Sequence, residues 1–257
     1  MDPELRKVSV ITVTLNTVSV LEKTIRSVLE QDHVSIEYII IDGGSMDGSA
    51  NVIRKYEEKI HFWISEPDKG VYDAMNKGLA KATGDWVGFM NAGDTFYDSH
   101  TVSSVFDPDP GDAGVIYGDT IADYSYRRIY KKAGAAEQLW KGMVMCHQSV
   151  FIRTALVKPE GFDPDYKIGS DYDMILRLYL EGRHFKYVHR PVSVIDTKGI
   201  SNQHMVSSAK EHFAILGKYN MVGYKTRLFH YCFILWLFFI SGVNSIIPNS
   251  LRERTNR

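Results

Sequence analysis

Three aspartates occupy positions in the sequence where a carboxylate could take part in chemistry. Asp42 directly follows the apolar run 38–41, Asp94 comes shortly after the apolar run 86–90, and Asp171 opens a helical pattern. A carboxylate at the end of a buried strand can accept hydrogen bonds from a nucleotide or supply oxygen to a hard divalent cation. An aspartate near a hydroxyl can act as its general base. Each residue taken alone is also compatible with a turn or a helix cap.

Two other groups carry weaker signals. The turn Asp68-Lys69-Gly70 could hold a phosphate, but the same residue types form ordinary turns. His147 lies in a predicted strand over residues 143–152, where a lone histidine is more often a packed core residue than a ligand. Neither group indicates chemistry by itself.

The elements that would position these residues alternate between strands and helices over the first hundred residues. Ser19 and Glu22 predict a capping box at the start of the first helix, and the spacing predicts a further helix over 72–82. The alternation predicts an α/β fold with a central, mostly parallel sheet flanked by helices. In such sheets ligands bind beyond the carboxyl ends of the strands, where the polar loops would lie. The strand-like runs cover residues 8–15, 37–41, 62–64 and 86–90.

The composition excludes several classes of protein. Of 257 residues, 44% are hydrophobic and 24% are charged, so disorder and coiled coil are excluded as the main architecture. A net charge of −1 gives no overall field that would attract nucleic acid. Cys146 and Cys232 are too few for a disulfide framework and lack metal-ligand spacing. The charged N-terminus is unlike a secretory signal, so we expect a cytoplasmic location.

Two segments of the second half could contact a lipid surface. One is a basic cluster, which indicates either a solvated face or a contact to an anionic lipid or acceptor. The other is a predicted C-terminal apolar helical segment over 221–257, whose most apolar part, 228–240, is shorter than the roughly 20 residues of a bilayer span. That segment could lie at a membrane interface through residues 225–247, cross the bilayer, or pack as a homo-oligomer contact. The basic cluster comprises Arg127, Arg128, Lys131 and Lys132.

A series of motifs runs in order through most of the chain. The motifs span Val10–Asn16, Tyr38–Ser49, Ser65–Asp94 and His147–Leu178. Together they resemble the motifs of family 2 glycosyltransferases of the GT-A fold, over about residues 6–200. More narrowly, the sequence is similar to bacterial enzymes that build capsule, exopolysaccharide or colanic-acid-like repeat units. The resemblance implies a GT-A domain over residues 1–220, followed by the C-terminal segment.

The resemblance implies roles for residues of a nucleotide site. Thr14 and Asn16, at the end of the first strand, would line that site. Asp42 would hydrogen-bond the base, usually uracil, with Gly44 and Ser45 beside it. The donor would therefore be a nucleotide-diphosphate sugar, with a UDP-sugar favoured.

It also implies a diphosphate contact, a cation and a catalytic base. The turn Asp68-Lys69-Gly70 would lie near the ribose and diphosphate. Asp94 matches the last acid of the metal-binding Asp-X-Asp motif, but this motif begins with Asn91 in the sequence Asn-Ala-Gly instead of an aspartate. A Mg²⁺ or Mn²⁺ ion would then rest on one protein carboxylate and on diphosphate oxygens. Asp171 matches the acid that acts as base in an inverting transfer.

The implied acceptor is a saccharide hydroxyl, on a lipid-linked saccharide if the enzyme docks at the cytoplasmic face of the inner membrane. Sugar pockets would be shaped by residues 95–145 and 185–210, and the sequence leaves open whether His147, His189 or His204 completes the metal site. One alternative is a catalytically degenerate subunit that binds nucleotide sugar, which the altered metal motif keeps open. A nucleotidyltransferase is disfavoured, because residues 16–19 offer no glycine-rich basic loop.

Overall fold

The computed structural model describes residues 6–33, 35–106, 109–124, 126–197 and 205–246, with side chains described as far as residue 236. Within these residues the strands form one sheet. They are β1 Val8–Thr14, β2 Ile36–Asp42, β3 Phe62–Ser65, β4 Trp86–Phe89, β5 Thr95–Phe96, β6 Val115–Asp123, β7 Arg128–Lys131, β8 Val150–Arg153 and β9 Phe185–Asp196.

Helices cover both faces of this sheet and continue beyond it at the C-terminal end. The α-helices are α1 Val18–Leu29, α2 Ser49–Arg54, α3 Val71–Lys81, α4 Thr101–Phe106, α5 Thr154–Val157, α6 Ser170–Leu180, α7 Met205–Lys218 and α8 Tyr224–Ile246. Short 3₁₀ helices lie at Glu57–Lys59, Ala136–Lys141 and His147–Ser149.

The sheet is parallel in its first half and mixed in its second. Its strand order is β3-β2-β1-β4-β8-β6-β9-β5, with β7 paired to β6. Strands β1 to β4 are mutually parallel, whereas β8 lies antiparallel between β4 and β6. The prediction of a mostly parallel sheet is therefore wrong for the second half. Crossover helices make the first strands parallel, but hairpins and loops join the later ones and impose no such direction.

Alternation along β1 explains why the sheet is covered on both faces. Val8 and Val10 pack with α1 on one face, while Ile11 and Val13 pack with α3 on the other. All seven residues of β1 are buried, which is typical of a central parallel strand. The carboxyl ends of these strands are consequently fixed against one another by two packed layers.

Glu37 lies at the end of the sheet where the parallel strands begin, as the second residue of β2. Its carboxylate accepts hydrogen bonds from Lys7 Nζ at 2.7 Å, Ser9 Oγ at 2.6 Å, and both the amide and the hydroxyl of Thr83 at 2.7 and 2.5 Å. Burial alone would raise the pKa of Glu37, but these donors outweigh it and lower the pKa to about 2. Glu37 is therefore a charged, fully partnered structural group.

Two local predictions are wrong for reasons that lie in the tertiary structure. Helix α1 starts at Val18 and has no side-chain cap from Thr17, so Ser19 and Glu22 do not form a capping box. Asp47, from the loop after β2, accepts the Val18 amide at 2.8 Å instead. The segment predicted as a strand over 143–152 contains the 3₁₀ helix His147–Ser149, and only β8 is extended.

A helix, α8, begins close to the start of the predicted C-terminal segment. Helices α7 and α8 pack against each other next to the sheet domain. In the described part of the chain, no helix combines the length and apolar character that crossing a bilayer requires. Residues 247–257 of the predicted segment lie outside the described residues.

Candidate functional site

The loops after β1 and β2 form one hydrogen-bonded unit. The backbone N–H of Asn16 donates to Ser45 Oγ at 2.7 Å, and the Ser45 hydroxyl donates to Asp42 at 2.5 Å. Thr14 is paired in register with Asp42 across the two strands. Four residues predicted for the nucleotide site are thus brought together at one sheet edge.

Asp42 is fully buried at this edge. Besides Ser45 Oγ, its carboxylate accepts the Ser45 amide at 3.1 Å and the Ser65 hydroxyl at 2.5 Å. In this conformation the Asp42 carboxylate is occupied by hydrogen bonds from Ser45 and Ser65. Its direct contact with a nucleotide base stays a prediction.

Glycine lets the loops after β2 and β3 meet. A Cβ on Gly43 would lie 2.3 Å from Asp68 Oδ2, so a side chain there would displace that carboxylate. Gly44 has a φ of +83° and lies against the Pro67 backbone. Sequence reasoning named Gly44 but missed Gly43, whose requirement comes from the neighbouring loop.

The predicted phosphate turn leads directly into α3. Asp68 accepts the Gly70 amide at 2.8 Å, and Asp73 accepts the Lys69 amide at 3.1 Å. Gly70 has a φ of +125°, and a Cβ added there would have no neighbour within 4 Å. The turn therefore presents open space beside a helix N-terminus whose dipole favours an anion, although the amides of Lys69 and Gly70 are already bonded to carboxylates.

Asp94 is held in a turn that α1 supports. Thr24 Oγ1 donates to the Asp94 carbonyl at 2.7 Å and accepts the Gly93 amide at 3.0 Å. The Asp94 carboxyl is buried and accepts the Asp196 amide at 2.9 Å. Burial raises the pKa of Asp94 to about 7, although that amide and the charge of Lys23 oppose the increase. Near neutral pH both the neutral and the charged form of this carboxyl are therefore populated.

The residues present fit a divalent cation that brings its own phosphate ligands. The buried Oδ1 of Asn91 has no hydrogen-bond partner in the described part of the chain. An amide oxygen and a carboxyl close to its ionisation point are oxygen ligands that a hard cation would satisfy. Across the described ranges, no group of three or more His, Cys, Asp or Glu side chains could hold a metal. His189 packs against Tyr187 with the two rings tilted and their centroids 4.1 Å apart, and His204 lies outside the described residues.

Asp171 lies in the first turn of α6 and connects to the phosphate turn through Tyr72. The Tyr72 hydroxyl lies 3.2 Å from Asp171 Oδ1 and also donates to the Ile168 carbonyl. Tyr72 is the second residue of α3, two positions after Gly70. The candidate base is therefore adjacent to the helix that begins at the candidate diphosphate site.

Cys146 is a partly buried thiol that feels the charges of both Asp94 and Asp171. Burial raises the pKa of the Cys146 thiol to about 11, and the charges of both aspartates add to the effect. His147 is buried against Phe89 and Phe162, and burial lowers its pKa, which Asp171 partly opposes. Both side chains therefore respond electrostatically to Asp171, and Cys146 responds to Asp94 as well.

Glu211 is a positioning residue that sequence reasoning missed. From α7 it accepts the consecutive amides of Lys167, Ile168 and Gly169 at 3.1, 2.9 and 2.8 Å. These amides immediately precede α6, so Glu211 fixes the start of the helix that carries Asp171. No local pattern around Glu211 could have indicated this role, because its partners lie more than forty positions away.

One protein family matches most of the parallel half of the sheet and continues into the mixed half. The family described as glycosyl transferase family 2 matches residues 9–158. An uncharacterized glycosyltransferase of Mycobacterium tuberculosis is 33% identical over 229 residues, covering 84% of this chain and 82% of the relative. A PGL/p-HBAD biosynthesis glycosyltransferase of the same species is 30% identical, covering 66% and 69%. The putative teichuronic acid biosynthesis glycosyltransferase TuaG of Bacillus subtilis is 40% identical over 90 residues, covering 34% and 36%.

Solved structures share the fold at low sequence identity. Staphylococcus aureus TarS in complex with UDP-GlcNAc gives a TM-score of 0.66 at 18% identity, covering 82% of this chain and 64% of TarS residues 1–349. The mannosyltransferase PcManGT of Pyrobaculum calidifontis, with GDP-Man and Mn²⁺, gives 0.67 at 17% identity, covering 86% and 66%. The chain therefore spans just under two thirds of these structures, and it has the mixed α/β, GT-A architecture. With more than half of its length matched by the family, this chain belongs to glycosyl transferase family 2.

Proposed function

We propose that the protein transfers a sugar from a nucleotide-diphosphate donor, UDP-sugars first among them, to a saccharide hydroxyl in bacterial surface polysaccharide synthesis. The observation that carries this proposal is the hydrogen-bonded link from α3, which follows the 68–70 turn, through Tyr72 to Asp171, together with Asp94 in the turn after β4. Relatives named for teichuronic acid and PGL/p-HBAD biosynthesis support the product class. Structural neighbours with UDP-GlcNAc or GDP-Man support the donor class.

In the proposed reaction, Asp171 removes the proton of the acceptor hydroxyl. The hydroxyl oxygen then bonds to the anomeric carbon as the bond from that carbon to the diphosphate oxygen breaks, which inverts the anomeric configuration. Glu211 and Tyr72 keep the base in place for this attack. Asp94 and Asn91 would hold a Mg²⁺ or Mn²⁺ ion, which would stabilise negative charge on the leaving diphosphate.

The proposal extends to where the enzyme works. A lipid-linked acceptor would place it as a peripheral protein on the cytoplasmic face of the inner membrane. The C-terminal residues 225–247 would contribute to that docking.

Calorimetry with UDP, GDP, CDP and dTDP, each with Mn²⁺ and with EDTA, tests the donor class. We expect one nucleoside diphosphate to bind selectively, and we expect its affinity to fall in EDTA. Binding that is independent of the metal would remove Asp94 from the mechanism. No binding at all would favour the degenerate subunit.

Asp171→Asn tests the base. We expect loss of transfer by at least about a hundredfold with nucleotide affinity retained, since general base catalysis contributes roughly 10²–10⁴-fold. Asp173→Asn is the matched control: Asp173 lies on the same helix and pairs with Lys218 at 3.0 Å. The Asp173→Asn control should lose stability but keep its transfer rate per folded molecule. Transfer by Asp171→Asn at more than about a tenth of the wild-type rate would exclude Asp171 as the base.

Asp42→Ala and Ser45→Ala distinguish a direct contact between Asp42 and the nucleotide base from a contact made through Ser45. Both variants should weaken nucleotide affinity if Asp42 acts through Ser45. If Asp42→Ala weakens binding and Ser45→Ala does not, the carboxylate contacts the nucleotide directly. Unchanged affinity in Asp42→Ala would contradict the predicted role.

A further inference from the structure

A basic hairpin projects from the second half of the sheet. It consists of β7 and the part of β6 paired with it, together with Tyr124, Tyr126, Arg127 and Lys132. Strand β7 lies off the main strand order and pairs with β6. Tyr126 and Tyr130 are 54% and 53% exposed. The hairpin thus presents both basic and aromatic side chains to its surroundings.

Part of the positive charge on this hairpin has no ion-pair partner. Arg128 pairs with Asp123 at 3.0 Å, and the charge of Lys132 acts on Asp119. Arg127, Lys131 and Lys132 are exposed and form no salt bridge among the residues that the structure describes. The Arg127 guanidinium lies over the rings of Tyr124 and Tyr126 at 5.7 and 5.6 Å. In a chain of net charge −1, this is a local excess of cations.

A buried carboxylate anchors the hairpin. Asp119, 1% exposed, accepts hydrogen bonds from the Tyr130 hydroxyl, the Tyr187 hydroxyl at 2.6 Å and the Ala133 amide at 2.8 Å. Burial would raise the pKa of Asp119, but these donors outweigh it and lower the pKa. The base of the hairpin is therefore fixed while its cations face outward.

Helix α8 carries an exposed row of large side chains. The row, called here the α8 row, is formed by Tyr224, Leu228, Tyr231 and Leu235, all more than half exposed. The opposite side of the helix is buried at Thr226 and His230. The helix contains no acidic residue between its bounds, and Lys225 and Arg227 are exposed near its start.

The hairpin and the helix are linked through a short segment of chain. The Trp140 ring packs on Phe229 with the ring centroids 5.3 Å apart, and the Trp140 carbonyl lies 3.2 Å from His230 Nε2. Lys141 lies over the Trp140 ring at 5.4 Å. The segment that follows the hairpin therefore packs on α8 from the side opposite to the α8 row.

We propose that the basic hairpin and the α8 row form a two-part docking surface for an anionic phospholipid bilayer. The inference deepens the membrane location in the proposed function and rests on it. Unpaired cations attract anionic headgroups, while exposed Leu and Tyr side chains insert at the interface. Such two-signal docking is stronger than either signal alone. An exposed apolar row on a helix that also carries the exposed cations Lys225 and Arg227 fits a bilayer, whereas nucleic acid would leave it in water.

Cosedimentation of the full chain with vesicles tests the surface. The probes are phosphatidylcholine vesicles with and without phosphatidylglycerol. We expect binding that increases with phosphatidylglycerol and weakens in high salt. In R127Q/K131Q/K132Q, partitioning onto anionic vesicles should fall roughly a hundredfold, because each cation contributes about a fivefold factor.

The matched control is K55Q/K59Q/K81Q, which removes the same charge from exposed lysines near β3, at the opposite end of the sheet. It should keep wild-type partitioning to within about threefold. L228S/L235S should weaken binding to both kinds of vesicle. Circular dichroism and nucleotide affinity should be unchanged in all three, so a failure of docking is distinguishable from a failure of the transferase.

Wild-type partitioning by the R127Q/K131Q/K132Q variant would overturn the proposal. So would equal loss in the control, which would indicate a general charge effect. Absence of vesicle binding together with hairpin-dependent binding of a single-stranded RNA would assign the surface to nucleic acid instead.

Discussion

Two buried carboxylates at opposite edges of the parallel sheet have opposite environments. Glu37, at the amino edge, is satisfied by donors from Lys7, Ser9 and Thr83, and its pKa is about 2. Asp94, at the carboxyl edge, accepts one amide, and burial raises its pKa to about 7. Their exposed fractions are nearly equal, at 7% and 8%. Both the number of hydrogen-bond donors and the depth of burial of the carboxyl therefore decide the state of each group.

The fold itself satisfies the carboxylate of Glu37, whereas it leaves the carboxyl of Asp94 with capacity for a further partner. Donors from two segments of the chain, residues 7–9 and Thr83, complete Glu37, so it needs no ligand. Asp94 lies close to Asn91, whose Oδ1 lacks a partner in the described structure. An incompletely satisfied buried oxygen costs free energy that a bound cation would recover. The predictions below test this contrast.

The largest expected effect is on metal-dependent nucleotide binding. Asp94→Asn should weaken the affinity for the preferred diphosphate in Mn²⁺ by about a hundredfold and leave the affinity in EDTA unchanged, because it removes the single proposed carboxylate ligand. Glu37→Gln is the control and should bind like wild type. Calorimetry measures both, and equal Mn²⁺ dependence in Asp94→Asn and wild type would contradict the assignment.

A smaller effect is expected from pH. The Asp94 carboxyl must lose its proton to ligate a cation, and its pKa is about 7. The apparent Mn²⁺ affinity in the presence of nucleotide should fall about tenfold for each pH unit below 7 and level off above it. Calorimetric titrations between pH 8 and pH 5.5 measure this, with Asp94→Asn as the control for protonation of the nucleotide's own terminal phosphate, whose second pKa is about 6. The same pH dependence in the wild type and in Asp94→Asn would show that Asp94 does not ligate the cation.

Glu37→Gln should destabilise the fold without affecting binding. The pKa of Glu37 lies below its ordinary value, so its stabilisation is fully present above about pH 4.5 and is lost as pH falls through 2. We expect Tm to decrease by about 4 °C at pH 7, with the difference narrowing in acid. Thermal unfolding followed by circular dichroism tests this; an unchanged Tm at pH 7 would refute a structural role.

The smallest expected effect is a stability gain in Asp94→Asn without divalent cations. Because the pKa of Asp94 is raised in the fold, the site destabilises the protein increasingly as pH rises from about 4 to 7. Asn avoids that cost, so Tm should increase by about 2–4 °C at pH 8 and by less at pH 5. A gain of equal size at both pH values would point to packing instead of ionisation.

The parallel half of the fold could be predicted from local pattern. Helix α3 was predicted over 72–82 and lies at Val71–Lys81, and the first strand was predicted over 8–15 and lies at Val8–Thr14. Strong apolar periodicity in buried elements makes this possible. The prediction of a strand over 143–152 is wrong because a short apolar run does not distinguish a strand from a turn. There Ser149 lies in a 3₁₀ helix and bonds to Thr120 and Ser193 from distant strands.

The site was predicted in its residue types but not in its connections. The strand ends carry Asp42 and the turn before β5 carries Asp94, as the motifs indicated. The bond from Tyr72 to Asp171 spans 99 positions, and the clamp from Glu211 to Ile168 spans 43. Spacing along the chain holds no information about pairs so far apart.

By itself the sequence determined the family, the alternating elements of the first half and the acids that reach one sheet edge. The family follows from the resemblance of the ordered motifs, whereas the elements and the acids follow from side-chain periodicity and residue type, which are local properties. Only the tertiary structure decided which carboxylates are satisfied, that the sheet becomes mixed beyond β4, and that Asp94 titrates near neutral pH. Desolvation and hydrogen bonding set a pKa, and both depend on neighbours that folding alone brings together.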